Sequence, residues 1–126
     1  MMKNNTKRKI EVTNATQSKI NEVDFNNLSF GNIFTDHMLV SNYKDGSWDI
    51  PKVIPYQNIT LDPSAKIFHY GQSIFEGMKA YKDSEGQVWL FRPLENCKRL
   101  NISAKRLAIP ELPEDYLWKG LKHCCK

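Results

Sequence analysis

The sequence predicts an α+β fold with a mainly antiparallel sheet and helices packed on it, and two observations support this class. Short β-like segments separated by turn residues occupy residues 34–91, whereas apolar residues at helical spacing occupy residues 94–121. A run of strands followed by helices is typical of α+β domains. The chain has 126 residues, about the length of one domain, which is enough to bury a hydrophobic core.

The β-like part begins with residues 34–43, which we predict to form a strand. Asp45-Gly46 follows, a dipeptide that strongly favours a hairpin turn. Residues 50–56 are predicted as the returning strand, and their prolines indicate an edge position, because proline cannot donate a hydrogen bond to a neighbouring strand. The stretch "LDPSAK" at residues 61–66 is predicted to be a turn or a short 3₁₀ segment.

A second hairpin is predicted around "FHYGQSIFEGMKAY", residues 68–81, in which no clean period is visible. Residues 76–81 are expected to pair with residues 88–91 across a turn that contains Gly86. The run "VWLF" at residues 88–91 consists of consecutive apolar residues, which indicates a strand covered on both faces.

Two helices are predicted after the second hairpin. Pro93 suits the first position of a helix, where its missing N–H leaves no bond unmade. Spacings of three and four residues then form one apolar stripe, which consists of Leu94, Cys97, Leu100, Ala104 and Leu107. Pro110 and Pro113 end this helix, and a second one is predicted at residues 114–123.

The net charge of +4 is confined to the N-terminal segment. Residues 1–20 contain five basic residues and one acidic residue, whereas residues 21–126 contain equal numbers of each. We therefore predict a flexible leader at residues 1–20 and a single domain at residues 21–126. Because the domain has no excess of basic residues, nucleic acid is not an expected partner.

Localisation follows from the lack of long apolar segments. No run approaches the roughly 20 apolar residues of a membrane helix, and no signal-peptide segment follows Met1. The sequence therefore predicts a cytoplasmic protein without a membrane partner. A mitochondrial presequence fits less well, because residues 1–20 are rich in asparagine and lack an apolar helical face.

The three cysteines do not indicate a disulfide framework or a metal centre. Their odd number favours a reducing compartment. His123, Cys124 and Cys125 stand side by side, and adjacent residues cannot easily ligate one tetrahedral ion. No metal site is therefore predicted.

The first helix has a second, polar face that includes Asn96, Arg99, Ser103 and Arg106. This face is either solvated or an anion site. In the second case Arg99 is the best candidate, because its guanidinium offers a rigid fork of donors that suits phosphate oxygens.

The aromatic residues of the segment 68–81 have an undecided role. We interpret Phe68 and Tyr81 as core residues. His69 is left unassigned, although a lone histidine beside aromatic residues is more often a hydrogen-bonded structural residue than a catalyst. Tyr70 and Phe75 stand next to glycines, and periodicity does not distinguish a core role from a binding role for them. No Ser/His/Asp set, phosphate-binding glycine loop or carboxylate pair is visible.

Three stretches together resemble the branched-chain amino acid aminotransferases, which are fold-type IV enzymes that use pyridoxal 5′-phosphate (PLP). They are "FTDHMLVSNYKDGSW", "HYGQSIFEGMKAY" and "LFRPLENCKRL", within a resemblance that runs from about residue 20 to residue 122. The resemblance implies that Arg99 holds the cofactor phosphate. It also implies that Tyr70 reaches the partner subunit's substrate pocket in a homodimer, while Phe75 and Phe30 line a pocket for an aliphatic side chain.

The implied reaction transfers an amino group from leucine, isoleucine or valine to 2-oxoglutarate, which gives glutamate and a branched 2-oxo acid. In this family the Schiff-base lysine belongs to a second, C-terminal domain that the 126 residues do not contain. We therefore expect an N-terminal small domain with no catalytic residue of its own, inactive as an isolated and truncated fragment. The alternatives are a non-catalytic module that dimerises with a full-length partner, and a related enzyme, either a D-amino acid aminotransferase or an aminodeoxychorismate lyase.

Overall fold

A computed structural model describes residues 9–124 of the chain, with side chains as far as His123. It confirms the α+β class, with strands preceding the longer helices. The strands are β1 (Glu11–Val12), β2 (His37–Val40), β3 (Tyr43–Lys44), β4 (Ser47–Trp48), β5 (Lys52–Pro55), β6 (Ala80–Lys82) and β7 (Val88–Leu90). The helices are α1 (Lys66–Tyr70), α2 (Pro93–Arg106) and α3 (Glu114–Cys124), besides a 3₁₀ turn at Ile20–Glu22. Two compact units, Met1–Gln57 and Asn58–Lys126, are described separately below.

The first unit is built on a three-stranded sheet in the order β1-β5-β2. Strand β2 pairs with β5 in antiparallel register, with Leu39 opposite Val53, and β1 pairs with β5 in parallel. The buried residues Val53 and Pro51 form its core. The predicted edge position of β5 is therefore wrong. Pro51 immediately precedes β5 and Pro55 is its last residue, so the N–H groups between them remain free to pair on either side.

Strand β1 lies within the predicted leader and was not expected. It has only two residues, too few for the alternation that marks a strand in a sequence. The chain that follows is tied to the first residue of β2 and to the residue before it. The Ala15 N–H donates to His37 Nε2 at 2.9 Å, and Asp36 accepts from Ser18 Oγ at 2.6 Å and from the Lys19 N–H at 3.0 Å. The hydrogen bond from Ser18 lowers the pKa of Asp36. The leader residues before Lys9 lie outside the described part.

The hairpin predicted at Asp45-Gly46 is confirmed. Strand β3 pairs with β4 in antiparallel register, with Tyr43 opposite Trp48. Asp45 and Gly46 have φ angles of 52° and 79°. Two central residues in the left-handed region define a type I′ turn, whose twist matches that of the flanking strands.

The second unit begins with a turn and a short helix. Asp62 Oδ1 accepts from the Ser64 N–H at 2.8 Å and from Ser64 Oγ at 2.6 Å, which forms the turn predicted at residues 61–66. Helix α1 follows and ends at Gly71, whose φ of 58° suits glycine. This five-residue helix was not predicted, because it is too short to show an apolar period.

Strands β6 and β7 form the second predicted hairpin, with Tyr81 opposite Trp89. The pairing is shorter than predicted, because residues 76–79 lie outside it. The expected cover on both faces is also wrong: Val88, Trp89 and Phe91 are exposed. Within residues 9–124 this strand is held by its partner and by one side-chain bond, from Trp89 Nε1 to Asp83 Oδ2 at 2.7 Å.

Helices α2 and α3 pack together and contribute most of the core of the second unit. Cys97, Ala104 and Tyr116 are buried there. The two ends of the predicted apolar stripe, Leu94 and Leu107, are exposed, so only its central part is buried. Asn101 links α2 to the connection that precedes α3, because its side chain bonds both backbone groups of Leu112. No helix among the described residues is long and apolar enough to cross a membrane.

A Schellman motif ends α2. The Ala108 N–H donates to the Lys105 carbonyl at 3.3 Å, and the Ile109 N–H donates to the Ala104 carbonyl at 2.9 Å. Ala108 occupies the left-handed position, with φ of 52°, where glycine is the usual residue. Its Cβ is therefore held in an unfavourable conformation.

Candidate functional site

The candidate site is built on residues 71–79, an irregular segment between α1 and β6. Its side chains alternate in burial: the even-numbered residues Gln72, Ile74, Glu76 and Met78 are half-buried, and the residues between them are exposed. This alternation has the two-residue period of an extended chain. It places two polar and two apolar side chains on the covered face, a pattern that the sequence did not reveal.

Two of the covered side chains tie this segment to α2. Gln72 Nε2 donates to the Leu107 carbonyl at 2.7 Å, at the end of the helix. Glu76 bonds Arg99 and Asn96 near the middle of the helix. The segment is therefore held at two points, on either side of Phe75.

Arg99 and Glu76 form a two-point ion pair. Arg99 Nε donates to Glu76 Oε2 at 2.7 Å, and Arg99 Nη2 donates to Glu76 Oε1. The hydrogen bond from Arg99 is the main reason that the pKa of Glu76 falls to about 2, and the same bond raises the pKa of Arg99. The carboxylate is therefore ionised at neutral pH.

Asn96 completes the surroundings of this carboxylate. It lies three residues before Arg99, so the two side chains project from the same face of α2. Asn96 Nδ2 donates to Glu76 Oε1 at 3.2 Å and to the Gly77 carbonyl at 2.9 Å. The Gly77 N–H donates to Glu76 Oε1 at 3.0 Å. These bonds fix both the Glu76 side chain and the backbone beside it.

The pair is asymmetric in exposure, which determines what Arg99 can do. The Glu76 side chain is 13% exposed, whereas that of Arg99 is 66% exposed. A guanidinium has five N–H donors, and Glu76 engages one on Nε and one on Nη2. Three donors, one on Nη2 and two on Nη1, therefore remain for a ligand. The polar face of α2 is thus neither simply solvated nor a bare anion site, because a carboxylate partner occupies one side of Arg99.

Tyr70 and Phe75, the predicted substrate-pocket residues of this unit, are highly exposed. Tyr70 ends α1 with its side chain in solvent, and Phe75 lies between the two points that hold the segment. Their exposed fractions are 81% and 92%. Phe30, the third predicted pocket residue, belongs to the first unit and is fully exposed there. The binding roles of all three remain predictions.

The other aromatic and titratable residues have mixed outcomes. His69, which the sequence leaves unassigned, has its Nε2 3.0 Å from the Pro63 carbonyl, a hydrogen-bonded arrangement typical of a structural histidine. Phe68 and Tyr81 are exposed, so the interpretation of them as core residues is wrong for the described chain. The structure describes His123, but the side chain of Cys124 and all of Cys125 lie outside the described part. A search of the described residues found no cluster of His, Cys, Asp or Glu that could hold a metal ion.

Sequence reasoning missed Glu76, which is the centre of the observed network. One signal was present: Glu76 is a charged residue between Ile74 and Met78 at two-residue spacing. A carboxylate on a covered face requires a partner of opposite charge. Arg99 provides it, 23 residues further along the chain.

Comparison with known proteins finds close relatives for most of the chain. It is 48% identical over 118 residues to branched-chain-amino-acid aminotransferase 2 of Bacillus subtilis (strain 168), covering 93% of this chain and 32% of the relative. It is 48% identical over 111 residues to the branched-chain-amino-acid aminotransferase of Mycolicibacterium smegmatis, covering 87% of this chain and 30% of the relative. A probable branched-chain-amino-acid aminotransferase of Staphylococcus aureus (strain N315) is 52% identical over 96 residues, which is 75% of this chain and 26% of the relative. The chain thus spans between about a quarter and about a third of the length of these curated relatives. No family model matches it.

Proposed function

We propose that this chain, which is homologous to branched-chain-amino-acid aminotransferases over about a third of their length, forms the N-terminal small domain of such an enzyme. The observation that supports this proposal most strongly is the 48% identity over 118 residues, which includes the segments that contain Arg99, Tyr70 and Phe75. The whole enzyme would transfer the amino group of leucine, isoleucine or valine to 2-oxoglutarate. Its products would be glutamate and a branched 2-oxo acid.

The cofactor of the proposed enzyme is PLP, and the donors of Arg99 fit its phosphate. Three N–H groups of Arg99 are not engaged by Glu76, and the side chain is mostly exposed. A planar guanidinium binds phosphate oxygens through paired hydrogen bonds. Arg99 would therefore hold the phosphate, and bound PLP would supply the electron sink that the reaction needs. The role of this chain would be to bind PLP and to orient it.

The substrate pocket would be lined by aromatic side chains that are exposed in the described chain. Phe75 and Phe30 present large apolar surfaces, which suit a branched aliphatic side chain. Tyr70 combines an apolar ring with a hydroxyl group, and in a homodimer it would reach the pocket of the partner subunit. Exposure of all three side chains is expected if their contacts are made with the rest of the enzyme.

A polypeptide of these 126 residues alone would be inactive, because the proposed Schiff-base lysine is not among them. A chimera tests both statements. The matched 118 residues of the B. subtilis relative are replaced by those of this chain, and formation of glutamate from leucine and 2-oxoglutarate is measured. We expect an active chimera, an inactive isolated chain and loss of activity in Arg99→Ala. A folded, PLP-loaded chimera without activity would overturn the proposal.

A second candidate function is a non-catalytic module that dimerises with a full-length aminotransferase. The exposure of the large apolar side chains of Tyr70, Phe75 and Phe91 favours it, because exposed apolar surface is typical of interaction sites. Mixing the isolated chain with the B. subtilis relative distinguishes the two roles. Co-elution with reduced turnover of the relative would support the module. A D-amino acid aminotransferase or an aminodeoxychorismate lyase is less favoured, because the relatives reported above are named branched-chain aminotransferases.

A further inference from the structure

The most informative feature beyond the proposed binding residues is the fixed orientation of an exposed arginine. Arginine side chains have many rotamers of similar energy, so an exposed one is normally mobile. Arg99 is instead held through Nε and Nη2 by two hydrogen bonds to one carboxylate. Such a two-point contact defines the plane of the guanidinium as well as its position.

The carboxylate that holds Arg99 is itself fixed. Glu76 Oε1 accepts from Asn96 Nδ2 and from the Gly77 N–H, in addition to Arg99. Gln72 ties the same segment to the end of α2 through the Leu107 carbonyl. The orientation of Arg99 is therefore set by the backbone of residues 71–79 and not by its own helix alone.

We propose that Glu76 is a positioning residue that holds the Nε side of Arg99 and so presents the Nη1 edge to the phosphate of a phosphate monoester. This inference rests on the proposed function, in which Arg99 binds the phosphate of PLP. Glu76 does not touch the ligand. Its effect is to remove the need to immobilise a long side chain when the phosphate binds.

Simple electrostatics predicts the opposite effect of Glu76. A carboxylate beside a phosphate site cancels part of the positive charge of Arg99 and repels the dianion. On that view Glu76→Gln strengthens phosphate binding, because it removes the negative charge. On the positioning view Glu76→Gln weakens binding, because the amide has one acceptor oxygen where the carboxylate has two, and its NH₂ group would face an N–H donor of Arg99. The sign of the change therefore separates the two explanations.

The experiment measures the dissociation constants of PLP and of pyridoxal, which lacks the phosphate, in the chimera described above. Freezing one long side chain on binding corresponds to a loss of roughly 2- to 10-fold in affinity. We expect Glu76→Gln to weaken PLP binding by this factor and to leave pyridoxal binding unchanged. Glu95→Gln is the matched control. It removes a carboxylate that pairs with Lys98 on the same helix, and neither ligand should be affected.

A second measurement does not depend on ligand binding or activity. The Nε–H resonance of Arg99 in the isolated chain should exchange slowly with water, because this proton is bonded to Glu76. Glu76→Gln should accelerate the exchange, whereas Glu95→Gln should not. Exchange that is already fast in the unmodified chain contradicts the proposal.

The outcomes also separate this inference from the proposed function. Absence of PLP binding in the unmodified, folded chimera overturns the proposed function. Normal PLP binding in the chimera, with unchanged or tighter binding in Glu76→Gln, overturns only the positioning role. An equal loss of PLP and pyridoxal affinity identifies a general structural role and also contradicts the proposal.

Discussion

Asn101 offers the sharpest test of how the second unit is held together. Its Nδ2 donates to the Leu112 carbonyl at 2.8 Å, and its Oδ1 accepts from the Leu112 N–H at 2.9 Å. One half-buried side chain thus satisfies both backbone groups of a residue just before α3. The substitution Asn101→Asp keeps the shape and the acceptor but removes the donor, and it places a negative charge against the Leu112 carbonyl.

The expected loss of stability follows from these two bonds. A neutral hydrogen bond contributes about 1 kcal/mol net, and a buried acceptor left without a donor costs about 1–3 kcal/mol. Because Asn101 and Leu112 are only half-buried, we expect Asn101→Asp to lower the free energy of unfolding by about 2 kcal/mol at neutral pH. The loss should shrink at acidic pH, where a protonated carboxyl can again donate to the carbonyl.

Urea unfolding measures this change directly. With slopes of roughly 1–3 kcal/mol per molar urea, a loss of about 2 kcal/mol moves the midpoint by roughly 1 M. Asn58→Asp is the matched control, because Asn58 is exposed, and it should leave the midpoint unchanged. An Asn101→Asp midpoint equal to that of the control at neutral pH would refute the role assigned to Asn101.

Three further predictions follow from the structure. Ala108→Gly should raise the free energy of unfolding by about 1 kcal/mol, because the left-handed φ of 52° disfavours alanine. Lys105→Gly inside α2 should lower the free energy of unfolding by about 1 kcal/mol, because glycine disfavours a helix. Urea midpoints of the two variants that move in the same direction would contradict this prediction. The pKa of Glu76 is lowered from 4.5 to about 2, so the stability from its pair with Arg99 is complete above about pH 4.5 and is lost as the pH falls toward 2. Glu76→Gln should therefore remove this part of the pH dependence of the free energy of unfolding. An unchanged dependence at acidic pH would contradict the role of the pair. The isolated chain should associate through its exposed apolar side chains and show a smaller elution volume than a monomer on size-exclusion chromatography, and a compact monomer at all concentrations would contradict this.

The elements that the sequence predicts well are those with a local cause. Asp45-Gly46 dictates its own turn, and Pro93 marks the start of α2 through its missing N–H. Composition could not predict the central position of β5. The strand on its second side, β1, has only two residues and lies in the segment that the sequence predicts to be a leader. The exposure of β7 could not be predicted from the sequence either. A run of apolar residues shows that a strand can be buried, but it does not show which residues cover the strand.

The site was predictable only in part, for a similar reason. Arg99 stands out from helical spacing and from its donor chemistry, but its partner Glu76 is brought to it by the path of residues 71–79. A contact between residues 23 positions apart produces no periodic pattern in the sequence. The exposure of the aromatic residues Tyr70 and Phe75 could not be predicted either, because neither periodicity nor composition distinguishes a ligand-binding ring from a ring in the core.

The substrate profile of the chimera tests the central claim most directly. Turnover is measured with leucine, isoleucine, valine and D-alanine as amino donors, and with aminodeoxychorismate as the alternative substrate. We predict turnover of the three branched-chain amino acids with 2-oxoglutarate, and its loss in Arg99→Ala. A folded, PLP-loaded chimera that turns over D-alanine or aminodeoxychorismate, and none of the three branched-chain amino acids, would contradict the account.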